Sequence, residues 1–158
     1  MGAGKSTVAA ILGQKLSMKV VEMDERIVDE QGMSINEIFA KYGETYFRDV
    51  ESELVVSIGG EGNSVVSCGG GVVVREENTS NMKKSGTIVF LTATPQTIYE
   101  RVKDSTNRPI LNGNMNVEYI EGLMEKRRAL YEAAADLRVV TDGKSATEIA
   151  DEIASKLY

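Results

Sequence analysis

The sequence has no histidine and no tryptophan, and its 158 residues include one cysteine and two prolines. Without histidine, the chain cannot form a serine–histidine catalytic triad, a histidine metal site or a histidine general base. Acid–base chemistry must therefore use carboxylates, lysine, tyrosine or water. This is compatible with phosphoryl transfer, because enzymes accelerate that reaction mainly by positioning the reactants and by electrostatic stabilisation. The single cysteine, Cys68, cannot form an internal disulfide, and its apolar neighbours favour a buried structural role over a reactive thiol.

Long apolar runs and an excess of positive charge are also missing. No segment has the length and apolarity of a membrane span or the pattern of a signal peptide. The formal net charge of −6 argues against nucleic-acid binding, although a local cluster of lysine and arginine can still attract an anionic substrate. Together with the single cysteine, these absences predict a cytoplasmic protein with neither nucleic acid nor a membrane as partner.

The length predicts one domain, residues 1–158, and apolar runs that alternate with helical patterns predict an α/β fold with a parallel sheet. The predicted strands are 19–23, 64–68, 87–91 and 137–141, and the predicted helices are 5–16, 34–58 with a break at Gly43, 73–84, 95–103, 117–135 and 146–157. Ser145 and Glu148 have the spacing of a capping box for the last helix. The polar stretch 104–116 predicts either a lid or an ordinary surface loop.

The sequence opens on a run that matches the end of the phosphate-binding pattern G-x-x-x-x-G-K-[ST], namely Met1, Gly2, Ala3, Gly4, Lys5, Ser6 and Thr7. In such a loop, backbone N–H groups surround phosphate oxygens, Lys5 reaches the β and γ phosphates, and Ser6 binds Mg²⁺. A chance match in a flexible tail is the alternative. The first glycine of the pattern and the strand before it would precede Met1, so we expect a start codon that was assigned too late.

Two carboxylates follow the first predicted strand, at Glu22 and Asp24. Ligands bind beyond the carboxyl ends of parallel strands, and alternation along a strand would place both side chains on one side. One carboxylate is then predicted to hold Mg²⁺ through water and the other to accept or orient a hydroxyl proton. The equally weighted alternative is a helix that begins here with acidic residues in its first turn.

A triple glycine follows the second predicted strand, as Gly69, Gly70 and Gly71. Three glycines permit close approach of a ligand to the backbone, whereas a plain turn seldom needs so many. Four arginines are scattered along the chain, at Arg48, Arg101, Arg108 and Arg127. Each alone is most simply a solvated charge, but beside a phosphate loop some are predicted to bind phosphate or an acidic substrate.

In the order of its motifs, the sequence resembles the shikimate kinases, small P-loop enzymes of aromatic amino-acid biosynthesis. The motifs are Gly2-Ala3-Gly4-Lys5-Ser6-Thr7, Met23-Asp24, Gly43-Glu44, Phe47-Arg48, Gly69-Gly70-Gly71, Arg108-Pro109-Ile110-Leu111 and Arg127 with Leu130-Tyr131. The resemblance spans nearly the whole chain. It implies a three-layer P-loop kinase fold with five parallel strands, of which the first, before the P-loop, is missing from this chain. It also implies ATP-dependent phosphorylation of the 3-hydroxyl of shikimate to shikimate 3-phosphate.

The resemblance also implies roles for individual residues. The catalytic residues would be Lys5, Asp24 and Arg108, and the shikimate-binding residues would be Asp24, Arg48, Gly70, Gly71 and Arg127. ATP would contact Gly2, Ala3, Gly4, Lys5, Ser6, Thr7, Arg101 and Arg108, and Mg²⁺ would bind Ser6 and Glu22. Residues 24–58 would form a helical substrate-binding segment, 104–116 the lid and 141–145 the adenine loop, in a monomer.

Two departures from the family pattern bear on activity. Glu22 stands where the family usually has aspartate, so we expect a weaker or shifted metal preference rather than loss. The missing strand should be central in the sheet, and its absence would expose strand edges. These departures favour one alternative, an inactive, truncated nucleotide-binding remnant. A separate alternative is another small-metabolite P-loop kinase, which Arg48, Arg127 and the triple glycine argue against. Glu51, three residues after Arg48 on one helix, is predicted to orient that arginine.

Overall fold

The alternation of strands and helices is present in the computed structural model, which describes residues 3–103 and 116–158. The helices in these ranges are α1 (Lys5–Leu16), α2 (Met23–Gln31), α3 (Ile35–Glu61), α4 (Glu76–Ser85), α5 (Pro95–Val102), α6 (Val117–Ala134) and α7 (Ala146–Leu157). The strands are β1 (Lys19–Glu22), β2 (Ser64–Ser67), β3 (Val89–Thr92) and β4 (Leu137–Val140), and a 3₁₀ turn covers Val72–Val74. None of the helices in the described ranges is both long and apolar enough to cross a membrane.

The strands form two parallel pairs, which confirms the predicted α/β class with parallel strands. β1 pairs with β2 from Lys19 opposite Ser64 to Glu22 opposite Ser67, and β3 pairs with β4 from Val89 opposite Leu137. Within the described residues, β2 and β3 each have a strand partner on one side only. β3 is only half-buried along its length, although parallel strands covered by helices are ordinarily buried on both faces.

Helices cover both faces of these strands. On one face, α1 and α7 pack together, and their buried side chains meet β4 in a cluster of Val8, Leu12, Val139, Ile149, Ala150 and Ile153. On the other face, α2, α3 and α4 enclose a second core that includes Met23, Ile27, Ile38, Phe47, Leu54 and Val55. A third cluster joins α5 to α6 through Ile98, Val102 and Ile120. The result is a three-layer arrangement of helix, sheet and helix.

Local signals placed several boundaries correctly. Gly43 adopts φ 83° and ψ 175° inside α3, so the predicted break is confirmed at a left-handed φ that favours glycine. The predicted capping box of α7 is also confirmed, because Ser145 Oγ accepts from Glu148 N at 3.2 Å and Glu148 Oε2 accepts from Ser145 N at 2.6 Å. The predicted helix 73–84 instead begins at Glu76, after the 3₁₀ turn of three β-branched valines.

The inference that strand alternation aligns Glu22 with Asp24 was wrong, because β1 ends at Glu22 and α2 begins at Met23. Asp24 and Glu25 lie in the first turn of α2, where the helix dipole stabilises negative charge. The alternative of a helix start is therefore confirmed. It does not remove Asp24 from the site, since the start of α2 lies at the carboxyl end of β1.

Candidate active site

The P-loop motif forms the N-terminus of α1. Gly4 precedes the helix with φ 85° and ψ 23°, a left-handed conformation that glycine adopts without strain. No described side chain caps this helix end, so its first N–H groups lack a side-chain acceptor. Such a helix terminus combines free N–H donors with the positive end of the dipole, which is the arrangement that binds phosphate.

Ser6 and Glu22 lie together beside this helix end. Ser6 Oγ donates a hydrogen bond to Glu22 Oε2 at 3.1 Å, which joins the P-loop to the carboxyl end of β1. A hydroxyl and a carboxylate are both hard oxygen ligands of the kind that Mg²⁺ prefers. In the part of the chain that the structure describes, no cluster of three or more acidic, cysteine or histidine side chains offers an all-protein metal cage. A site of two ligands is nevertheless what Mg²⁺ needs when waters and phosphate oxygens complete its shell.

Arg48 and Glu51 form a buried ion pair on α3. Arg48 Nη1 donates to Glu51 Oε1 at 2.9 Å, and the two side chains are 8% and 1% exposed. Arg48 Nη2 also reaches Glu44 Oε1 at 3.3 Å, whereas the buried Nε has no hydrogen-bond partner among the described residues. Burial raises the pKa of Glu51, and the guanidinium of Arg48 opposes that rise. The guanidinium is thus held rigidly while part of its donor capacity remains unused.

The triple glycine forms a wall against these charged groups. A Cβ at Gly71 would lie 2.3 Å from Arg48 Nη1, and a Cβ at Gly69 would lie 3.1 Å from Asp24 Oδ1 and 3.2 Å from Glu51 Oε2. Side chains at these positions would displace the charged groups. The segment that follows β2 therefore packs directly against charged side chains of α2 and α3.

Tyr131, on α6, fixes the middle of this glycine segment, and sequence reasoning assigned it no role. Its hydroxyl donates to the Gly70 carbonyl at 2.6 Å, and its ring stacks on Phe90 with centroids 5.0 Å apart. Arg127 lies one helical turn earlier on α6 and is half-buried, and its charge acts on Glu51. The spacing of Arg127 and Tyr131 on one helix face was the available signal.

Arg101 lies apart from this cluster, on α5. Its Nη1 donates to Thr141 Oγ1 at 3.2 Å, at the first residue of the predicted adenine loop. The neighbouring Asp142 accepts from Thr94 N at 3.0 Å and from Thr97 Oγ1 at 2.7 Å, and these hydrogen bonds lower its pKa. The carboxyl ends of β3 and β4 are thus joined beside Arg101.

Several predicted residues need separate mention. Gly2 and Arg108 lie outside the described residues, as does the predicted lid except Asn116, whose Oδ1 caps α6 by accepting from Tyr119 N at 2.7 Å. Burial raises the pKa of the Cys68 thiol to about 11, which fits a structural role and not a reactive one. Among the other predicted residues, Asp24 lies against Gly69 and Arg48 against Gly71, whereas Lys5 and Arg127 are linked to this segment through the action of their charges on Cys68 and Glu51.

Comparison with known proteins gives one consistent result. A family profile described as Shikimate kinase matches residues 1–158. The chain is 41% identical to a shikimate kinase of Persephonella marina over 157 residues (99% of this chain, 94% of that protein) and 42% identical to one of Thermodesulfovibrio yellowstonii over 153 residues (97% and 88%). Among solved structures, shikimate kinase from Acinetobacter baumannii in complex with shikimate has a TM-score of 0.93 at 27% identity (99% of this chain, 88% of that chain). Shikimate kinase from Aquifex aeolicus has a TM-score of 0.85 at 38% identity (99% and 91%).

Proposed function

This chain belongs to the shikimate kinase family, and we propose that its site transfers the γ-phosphoryl group of ATP to the 3-hydroxyl of shikimate. The products are ADP and shikimate 3-phosphate. The observation that carries the proposal is the buried, glycine-walled Arg48–Glu51 pair beside a phosphate-binding helix end. A phosphate loop serves many kinases, whereas a buried arginine that is held in place by a carboxylate suits a compact acceptor with a carboxylate.

The phosphate side of the site consists of Gly4, Lys5 and the start of α1. The uncapped N–H groups of the helix bind phosphate oxygens, and Lys5 neutralises the negative charge on the group being transferred. Ala3 and Thr7 complete the P-loop contacts. Ser6 and Glu22 would hold Mg²⁺, which would neutralise part of the negative charge of the phosphates.

The acceptor side is built around Arg48. The Nε of Arg48 is buried and has no hydrogen-bond partner among the described residues, so the guanidinium retains donor capacity that the carboxylate of the acceptor can use. An unpaired buried donor costs about 1–3 kcal/mol, so binding of the acceptor relieves a cost already present in the free protein. Arg127 adds a second positive charge to the same space, and Gly70 and Gly71 let the acceptor ring approach the backbone.

Asp24 is proposed as the general base. It lies at the start of α2, directly after the carboxyl end of β1, and Gly69 leaves room for its carboxylate. The 3-hydroxyl oxygen of shikimate forms a bond to the γ-phosphorus as the bond to the bridging oxygen of ADP breaks, and the hydroxyl proton passes to Asp24. The absence of histidine leaves a carboxylate as the suitable base in this position.

Around this centre, we propose that residues 24–58 form the acceptor-binding segment and that 104–116 forms the lid, from which Arg108 reaches the transferring phosphate. Arg101 and the segment 141–145 would receive the adenine, since Arg101 already contacts Thr141. A closing lid excludes water, which would otherwise hydrolyse ATP. The protein is proposed to act as a cytoplasmic monomer, with ATP and shikimate as its partners.

Product analysis with a panel of acceptors tests the proposal. The chain is incubated with ATP, Mg²⁺ and either shikimate, gluconate or a nucleoside monophosphate, and the phosphorylated product is identified by mass spectrometry. We expect shikimate 3-phosphate, and we expect Arg127→Ala to raise the KM for shikimate about tenfold or more, as loss of a charged contact implies. Arg128→Ala is the matched control, because Arg128 is more than half exposed and pairs with Glu125. Phosphorylation of another acceptor but not shikimate would refute the proposal.

A further inference from the structure

The glycine wall, Gly69 to Gly71, is held by the 3₁₀ turn that follows it. The Gly69 carbonyl accepts a hydrogen bond from Val72 N at 3.1 Å. The Gly71 carbonyl accepts one from Val74 N, also at 3.1 Å. Because a peptide unit is planar, a carbonyl whose direction is fixed also fixes the N–H group on the other side of that unit. The position of this turn therefore sets the directions in which the wall presents its backbone groups.

Asn78, the third residue of α4, holds the turn through its side chain. Its Nδ2 donates to the Val72 carbonyl at 3.0 Å, and the residue is 1% exposed. Asparagine is a weak helix former and is mostly exposed in proteins, so neither α4 nor the core explains its presence here. Buried polar side chains are ordinarily accompanied by a hydrogen-bond partner. The contact with Val72 is therefore the observation that accounts for an asparagine at this position.

Arg75 fixes the far end of the same turn to α3. Its Nη2 forms an ion pair with Asp49 Oδ1 at 2.8 Å, and its Nη1 donates to Ser52 Oγ at 3.2 Å. Asp49 and Ser52 directly follow Arg48 and Glu51 in the sequence. The turn is thus joined at its far end to the helix that carries the buried ion pair.

A displacement of the turn would reach the guanidinium of Arg48. Val72 directly follows Gly71, and a Cβ at Gly71 would lie 2.3 Å from Arg48 Nη1 and 2.4 Å from Nη2. The guanidinium therefore lies against the backbone of the wall. Val72 and Val73 are 5% and 7% exposed and belong to the core that α2, α3 and α4 enclose. A close-packed core transmits a small shift rather than absorbing it.

We propose that Asn78 is a positioning residue for the phosphate acceptor. By holding the Val72 carbonyl, Asn78 sets the position of the glycine wall and, through Gly71, that of Arg48. This inference rests on the proposed function, in which Arg48 and the wall bind the acceptor. The contacts named here do not include the start of α1, where phosphate is proposed to bind. Loss of the Asn78 donor should therefore weaken binding of the acceptor and leave binding of ATP nearly unaffected.

Two substitutions of Asn78 remove the donor in different ways. Asn78→Leu keeps the branched shape of the side chain, whereas Asn78→Ala shortens it and favours the helix. In each variant the KM for the acceptor should rise roughly three- to tenfold, as loss of a buried hydrogen bond implies, while the KM for ATP stays nearly unchanged. Asn81→Leu and Asn81→Ala are the matched controls, because Asn81 lies further along α4 and is half-buried.

Two further measurements separate positioning from a general loss of stability. Ile149→Val should lower Tm without changing the KM for the acceptor, because Ile149 is buried in the cluster of α1, α7 and β4 on the opposite face of the sheet. Gly71→Ala acts on the same guanidinium as Asn78. The rise in KM of the double variant Asn78→Leu with Gly71→Ala should therefore be smaller than the product of the two single rises.

The choice of acceptor distinguishes a failure of this inference from a failure of the proposed function. The KM is measured for whichever acceptor of the panel the unmodified chain phosphorylates, so an acceptor other than shikimate would refute the proposed function and still test Asn78. An unchanged KM for that acceptor in both Asn78 variants, an equal rise in the KM for ATP, or a double variant that matches the product of the single effects would each overturn the inference.

Discussion

Replacement of Glu51 by glutamine isolates the role of a charge that is almost completely buried. Glu51 is 1% exposed, and its Oε1 accepts from Arg48 Nη1 at 2.9 Å. Glutamine keeps the volume and an oxygen that can accept the same hydrogen bond, but it removes the negative charge. Arg48 then remains buried with less compensation, and its orientation toward the glycine wall is no longer enforced by the pair.

The expected magnitude follows from this geometry. Burial raises the pKa of Glu51, so the fold favours the neutral carboxyl, which glutamine resembles more than the charged one. We therefore expect only about 1 kcal/mol of lost stability, from the altered hydrogen bond to Arg48, and not the roughly 3–5 kcal/mol of a broken buried ion pair. For a chain of this length that corresponds to a fall in Tm of roughly 2–4 °C. Because Arg48 is the proposed carboxylate ligand, the KM for shikimate should rise about tenfold or more, which is 1.4 kcal/mol of binding, while the KM for ATP stays nearly unchanged.

The pH dependence gives an independent readout of the same residue. Burial raises the pKa of Glu51 in the folded state above its value in the unfolded chain. The stability that this group contributes is therefore fully present below the unfolded pKa and is lost as pH rises through the folded pKa. Since all other carboxylates are common to both proteins, the stability deficit of Glu51→Gln should shrink as pH rises through that window.

The assay combines thermal unfolding between pH 4 and pH 8, by roughly half-unit steps chosen to span the carboxyl range, with coupled kinase kinetics in which one substrate is varied at a time. Glu53→Gln is the matched control, because Glu53 lies two residues further along α3 and is exposed. If Glu51→Gln matched Glu53→Gln in both Tm and the KM for shikimate, the positioning role of Glu51 would be refuted. If the stability deficit of Glu51→Gln grew with pH, the claim that burial affects the pKa of Glu51 more than the charge of Arg48 does would be refuted.

Three further variants test neighbouring contacts. Gly71→Ala should raise the KM for shikimate more than Gly86→Ala does. A Cβ at Gly71 would lie 2.3 Å from Arg48 Nη1, whereas a Cβ at Gly86 would have no atom within 4 Å among the described residues. Equal kinetics of the two variants would contradict the close approach of Gly71 to Arg48. Tyr131→Phe removes the hydrogen bond to Gly70 but keeps the ring stacked on Phe90. Calorimetry should record about 1 kcal/mol of lost stability, and kinetics should show a several-fold rise in the KM for shikimate. An unchanged KM would mean that Tyr131 has a purely structural role. Glu22→Ala should raise the Mg²⁺ concentration needed for half-maximal activity, with Glu25→Ala as the exposed control, and an unchanged Mg²⁺ titration would remove Glu22 from the metal site.

Much of the fold could be predicted from the sequence because its signals are local. Four apolar runs correspond to the four strands of the described residues, and the Gly43 break and the Ser145 capping box depend on a few adjacent residues. The start of α2 was predicted only as an alternative for Glu22 and Asp24, since Met23–Gln31 is short, strongly polar and without an apolar face long enough to show a helical period. Which strands pair is a non-local property, and the pairs β1–β2 and β3–β4 were not predicted from the sequence.

The site was predicted unevenly for the same reason. A P-loop is recognisable because its residues are contiguous. The roles of the individual arginines, in contrast, could be predicted only from the order of the motifs along the chain. The hydrogen bond from Tyr131 to Gly70 joins residues 61 positions apart, and a local sequence pattern does not predict such a contact. The burial of Arg48 could not be predicted from the sequence either, because most arginines in proteins are exposed.

The glycine wall, Gly69 to Gly71, shows that the reason a motif suggests a function can differ from the reason the fold requires it. Three consecutive glycines after a strand suggest that a ligand approaches the backbone closely. In the folded chain, the space above Gly71 is already occupied by the Arg48 guanidinium, and the space above Gly69 borders Asp24 and Glu51. Glycine is therefore needed first to admit the protein's own charged side chains. Because those side chains are the proposed substrate ligands, a methyl group on the wall would displace the site itself before it met any substrate.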